Sequence, residues 1–100
     1  MNQVEVMMTD IFSLVDIGVA FCAFVLKGSL KKGQKLVIGN KEYEILRIEG
    51  QHSKEIEELT PETSRKLKYS PGIILKNALK EDIIRTGIER KVKITLEVKD

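Results

Sequence analysis

One hundred residues, 42% of them apolar and 32% charged, make a single folded domain over residues 1–100 with a modest core, and exclude a disordered tail. The net charge of +2 is too small to mark a nucleic-acid binder by itself. Its distribution is uneven: residues 1–26 carry Glu5, Asp10 and Asp16 and no base, while residues 27–100 carry all 17 Lys and Arg.

Val4, Val6 and Met8 alternate with Gln3, Glu5 and Met7, which predicts a first strand continuing through Ile11–Leu14. Asp16-Ile17-Gly18 is a turn signal. Val19–Lys27 is apolar on both parities and rich in Phe and Val, so it reads as a strand covered on both faces. Its outer set is either Ala20-Cys22-Phe24-Leu26 or Val19-Phe21-Ala23-Val25, and that set needs a cover. A flap of this chain and a partner or dimer surface both answer the need. Gly28 and Gly33 bracket Ser29-Leu30-Lys31-Lys32, and Gln34–Ile38 is a short strand. Gly39-Asn40 is a two-residue hairpin link into a strand that holds Tyr43, Ile45 and Ile48 and ends near Gly50.

Ser53–Lys68 is ambiguous. Pro61 argues against a helix there, which leaves a short strand or turn up to Leu59 and a surface loop over Thr60–Ser64. Gly72–Asn77 is a strand, Lys80–Ile84 a helical turn closed by Gly87, and Val92, Ile94, Leu96 and Val98 a last strand with one wet face. Short strands with regularly spaced glycine turns imply an all-β barrel or sandwich. Closure would also remove exposed strand edges. The expected interior is Val19, Phe21, Val25, Leu36, Ile38, Ile45, Ile48, Ile74, Ile94 and Leu96.

Little in the sequence points to chemistry. No G-x-x-x-x-G-K-[ST] cradle exists, so no nucleotide cofactor is expected. His52 is the only histidine and Cys22 the only cysteine, too few for a zinc site or an internal disulfide. His52 reads as a solvated loop residue, with RNA contact the sharper alternative. Cys22 reads as an inert thiol in an apolar run. Glu55, Glu57, Glu58 and Glu62 alternate with polar neighbours as a solvated face. Lys27, Lys31, Lys32 and Lys35, or Arg65, Lys66 and Lys68 beside Tyr69, are groups that suit phosphate contact and base stacking, or plain solubility. The N-terminus MNQVEVMMTD lacks a basic n-region, and the run Ile17–Leu26 is about half the length of a membrane helix. A reducing cytoplasm and no membrane are the expectations.

Taken in order, Ile11-Phe12-Ser13, Gly18, GSLKKGQKLVIG, YEILRIEGQHSKEIEEL, GIILKN and EDIIRTG resemble domain II of the elongation factor Tu class of translational GTPases over roughly residues 9–89. The segment Ile48-Glu49-Gly50-Gln51-His52 is similar to that of the selenocysteine-specific members. The resemblance implies a six-stranded closed Greek-key β-barrel that helps hold the aminoacyl end of tRNA or touches rRNA, here as a stand-alone domain without its GTPase. It places Asp10 near the aminoacyl pocket and Gln51, His52 and Lys54 in the acceptor-end contact loop. Thr9 stands where a glutamate is usual, Cys22-Ala23 replaces a Thr-Gly pair, and Thr60–Ser70 is longer than the usual link.

The expected function is therefore a non-catalytic binding module, translation-related, for tRNA, rRNA or a translation protein. Its contacts are expected at Asp10, Lys31, Lys32, Gln51, His52 and Lys54, with no metal and no cofactor. The alternative is a protein-interaction or homo-oligomer module acting through the second strand.

Overall fold

The computed structural model describes residues 2–100. The strands are β1 (Asn2–Leu14), β2 (Gly18–Lys27), β3 (Leu30–Lys31), β4 (Lys35–Ile38), β5 (Lys41–Glu49), β6 (Glu58–Leu59), β7 (Gly72–Lys76) and β8 (Lys93–Lys99). Two short helices, α1 (Pro61–Arg65) and α2 (Lys80–Arg85), join them. Six strands close an antiparallel barrel in the order β1-β2-β7-β5-β4-β8, and β3 pairs with β6 as a separate ribbon. Strands β4, β5 and β7 follow one another, and β8 returns beside β4, which is a Greek-key connection.

Alternation explains which side chains point inward. Val4, Val6 and Met8 of β1 are buried, and the parity then slips by one so that Ile11 is buried too. The slip is a bulge at Thr9: Met8 lies opposite Ala23 but Asp10 opposite Cys22. On β2 the inner set is Val19-Phe21-Ala23-Val25, and Ala20, Cys22, Phe24 and Leu26 face outward, half-buried. Leu36, Ile38, Tyr43, Ile45, Ile48, Ile73, Leu75 and Val98 complete the core.

Three expected core members differ in placement. Ile74 is buried but lies between Ala20 of β2 and Arg47 of β5 on the outer side, while its neighbours Ile73 and Leu75 point in. Ile94 and Leu96 are only partly buried, because the start of β8 lies at the edge of the core; Val92 precedes the strand and is exposed. The turn at Gly18 is obligatory. Its φ is +154°, and an added Cβ would sit 1.9 Å from the Leu75 carbonyl oxygen.

Six strands do not close the wall along their whole length, and each helix fills one gap. Above Cys22, β2 has no strand on its β7 side. The Ala23 N–H donates instead to the Pro71 carbonyl at 3.1 Å, and the Val25 N–H donates to Ser64 Oγ at 2.9 Å. This is the upper seam. α1 fills it, with Leu30 of β3 and Leu59 of β6 fully buried beside it. Thr60–Ser64 is thus not the expected surface loop. Pro61 starts a helix there, because its missing N–H costs nothing in the first turn. Thr60 Oγ1 caps that turn, accepting from the Thr63 N–H at 3.0 Å.

The lower seam opens where β8 stops pairing with β1, beyond Met7. Here the Lys91 N–H donates to the Met8 carbonyl at 2.8 Å, the Ile11 N–H is taken by Asp10 Oδ1 at 2.9 Å, and α2 inserts Ile83 into the core. Lys41 Nζ reaches Asp82 Oδ2 at 2.7 Å and ties α2 to β5. α2 forms where a helical turn was expected, and Gly87 ends it at φ +87°. No helix among the described residues is long and apolar enough to cross a membrane.

Candidate RNA-binding rim

Strand register assembles one row from four strands. Asp10 lies opposite Cys22, Cys22 opposite Gly72, and Gly72 opposite Glu49. Three strand spacings make this row about 14 Å long. Its floor is small: Cys22, Gly72 and, one step below, Ala20 and Ile74. A Cβ on Gly72 would meet only Ile74 and Ala20, at ordinary contact distances of 3.8 and 3.9 Å, so the middle of the row is low and uncrowded.

Loops rise around this row. At the β5 end the chain turns tightly through Gln51–Ser53, with His52 and Ser53 both in the left-handed region at φ 58°. The Gly50 N–H donates to the Lys54 carbonyl at 2.7 Å and closes the turn. Gln51, His52 and Lys54 are all exposed on it. A polar surface residue held at positive φ carries a local cost, and such costs gather at ligand-contacting loops. At the β7 end the link from α1 brings in Lys68 and Tyr69. Tyr69 is 61% exposed, and the Lys68 ammonium lies 5.5 Å from its ring centroid. A hydrogen bond between the Thr9 and Ser70 hydroxyls pins this link to the β1 bulge.

The acids of the row are neutralised in place. Arg90 Nη2 contacts Asp10 Oδ1 at 3.2 Å, and Arg47 Nε donates to Glu49 Oε2 at 2.9 Å. Asp10 therefore has a structural task, since the same oxygen also holds the Ile11 N–H. Lys54 and Lys68 are in no ion pair among the described residues and so are free to meet phosphates, although Glu55 beside Lys54 is unpaired too. Burial, and to a lesser degree the Asp10 carboxylate, push the Cys22 thiol above its ordinary value, which keeps it protonated and a poor nucleophile.

Asp10 thus stands at the β1 end of the row, and Gln51, His52 and Lys54 follow its β5 end, about 14 Å away. The structure sets Lys31 and Lys32 apart. Lys31 lies opposite Glu58 in the β3–β6 ribbon, and Lys32 follows in the turn that leads to β4. Glu55 bridges back to Glu49, leaving an acidic stretch between the two basic regions. Sequence reasoning named Lys68 and Tyr69 only as one of two basic groups, read Thr9 only as a departure from the family pattern, and missed Arg90, Ser70 and Gly72. The Asp10–Arg90 pair spans 80 residues and the Thr9–Ser70 pair 61, so no local pattern announces either.

No protein-family model matches the chain, and no curated protein matches it.

Proposed function

We propose that this chain is a non-catalytic RNA-binding barrel of the elongation factor Tu domain II type, which takes a single-stranded RNA end, such as that of a tRNA, on the rim around Gly72. The observation that carries the reading is the exposed Tyr69 with Lys68 over it, three residues before Gly72 in the chain, on a row whose β5 end leads into the exposed His52 turn. Unpaired RNA is recognised by stacking on aromatic and histidine side chains and by cations that track its phosphates. Lys54 and Lys68 supply the cations, and Tyr69 and His52 the stacking faces. The Asp10, Gln51 and His52 positions, at which the sequence resembles that family, fall around the same row. The non-catalytic half of the reading is supported by what shifts the acids: Glu42 and Asp82 are both lowered, by hydrogen bonds from Lys99 and Lys41, so each is an ion-paired carboxylate and not a raised general acid.

Fluorescence anisotropy with a labelled single-stranded RNA across a salt series tests this. Tyr69→Ala should cost about 1–3 kcal/mol of binding. Lys54→Ala and Lys68→Ala should each reduce the salt slope by about 0.7. Absence of binding at low salt, or binding indifferent to Tyr69, would sink the reading.

One observation favours protein binding as a second reading. A groove of about 230 Å³ remains on the outer side of β2, between Met7, Phe24 and Leu26 and the α1 residues Pro61 and Arg65. Because Phe24 faces out and Phe21 in, Phe24→Asp is the variant that would weaken a complex there while sparing the fold.

A further inference from the structure

The lower end of the barrel carries a cleft of about 370 Å³ that the RNA reading does not use. One wall is the β1–β2 turn with Leu14, Val15 and Ile17; the other is the β7–α2 link with Ala78, Leu79 and Lys80. The Asn77 N–H donates to the Ile17 carbonyl at 2.7 Å and joins the walls at their base. Val15 is 86% exposed and Leu79 62%, the highest values among the large apolar side chains of the described residues. Neither contributes to the core, so folding does not account for them. Asp16 stands on the first wall and Lys80 on the second, both exposed and in no ion pair among the described residues.

We infer that this cleft docks a second copy of the chain about a two-fold axis. A two-fold contact uses one patch twice, so the patch must be complementary to itself. This one is. It holds a recess and protruding apolar side chains together, with opposite charges on opposite walls. A two-fold axis running along the cleft sets the Val15-Asp16 wall of each copy against the Leu79-Lys80 wall of the other, with Val15 facing Leu79 and Asp16 facing Lys80. An unrelated protein would need neither the matched recess nor the charge placed across it. The contact leaves the Gly72 rim of each copy free.

Sedimentation equilibrium of the full chain, up to about 1 mM, reads the association directly. A reversible dimer is expected, and Leu79→Asp should give a monomer with an unchanged circular dichroism spectrum. Asp16→Lys should weaken dimerisation at least about tenfold, because it opposes like charges twice. The double exchange Asp16→Lys with Lys80→Asp should restore it to within about threefold, since the pairs re-form with inverted sign. A chain that stays monomeric throughout overturns the inference. So does a dimer indifferent to Leu79→Asp, a double exchange that fails to rescue, or a cleft occupied only by a different protein.

Discussion

The two seams of the barrel wall meet the same demand by different means. At the upper seam a helix takes the place of a strand: Ser64 Oγ accepts the edge N–H of Val25, and Leu30, Leu59 and Ser64 are buried. At the lower seam the strand edge is satisfied locally, by Asp10 on its own strand, and α2 contributes one fully buried side chain, Ile83. The upper plug leaves Phe24 and Leu26 half-buried beside Pro61. The lower one leaves Leu79 and Ile84 exposed. A small domain has little apolar area to spend on closure, and here it is spent unevenly. The upper seam is closed by a helix that completes the edge's hydrogen bonding, whereas the lower one is closed by a single inserted side chain.

Substitutions can break or sharpen that contrast. The largest effect is expected at Gly18→Ala, where the new Cβ meets the Leu75 carbonyl and forces apart β2 and β7. A loss above about 4 kcal/mol, or no folding, is predicted. A chain that melts normally would show the close approach to be dispensable. Next come Leu59→Ala above and Ile83→Ala below, each at about 2–5 kcal/mol from urea unfolding, with Leu59 the costlier because its strand is both paired with β3 and packed on α1. The reverse order would invert the comparison. Ser64→Ala should cost about 1–3 kcal/mol by orphaning the buried Val25 N–H, with faster hydrogen exchange at Val25 as its signature.

The smallest effect is electrostatic. Hydrogen bonds from Lys41 and Lys99 hold the Asp82 and Glu42 carboxyls below their ordinary values of 3.8 and 4.5, and the same bonds raise the two lysines above 10.5. The carboxylate contribution is complete above the ordinary values and fades as pH falls through the lowered ones. The lysine contribution is complete below 10.5 and fades as pH climbs through the raised values. Stability from these pairs is therefore flat between about pH 5 and 10. Both pairs are open to solvent, so salt should erase the difference between the plateau and its flanks. Urea midpoints across pH, with and without salt, measure this.

Much of the scaffold was legible because period-two alternation is clean in β8 and in β1 as far as Met8, and because Gly18, Gly39-Asn40 and Gly87 mark real turns. Parity was silent where a run is apolar throughout. Nothing in Val19–Leu26 distinguishes Phe21 from Phe24, and nothing in Gly72–Lys76 says that Ile74 faces out. Only the register across neighbouring strands decides both. α1 was missed by reading Pro61 as a breaker. A threonine followed by proline is equally a helix start, and its reward, the Val25–Ser64 bond, lies 39 residues away in sequence. The Gln51–Lys54 part of the rim was legible as a loop, but the Gly72 row depends on four strands meeting in register.

The rim's role is tested most directly by backbone amide shifts of isotope-labelled chain during titration with a single-stranded RNA. The account predicts salt-sensitive shifts confined to residues 9–10, 22, 49–54 and 68–72. A rim that stays unmoved at low salt, or shifts centred on Val15 and Leu79 instead, would contradict it.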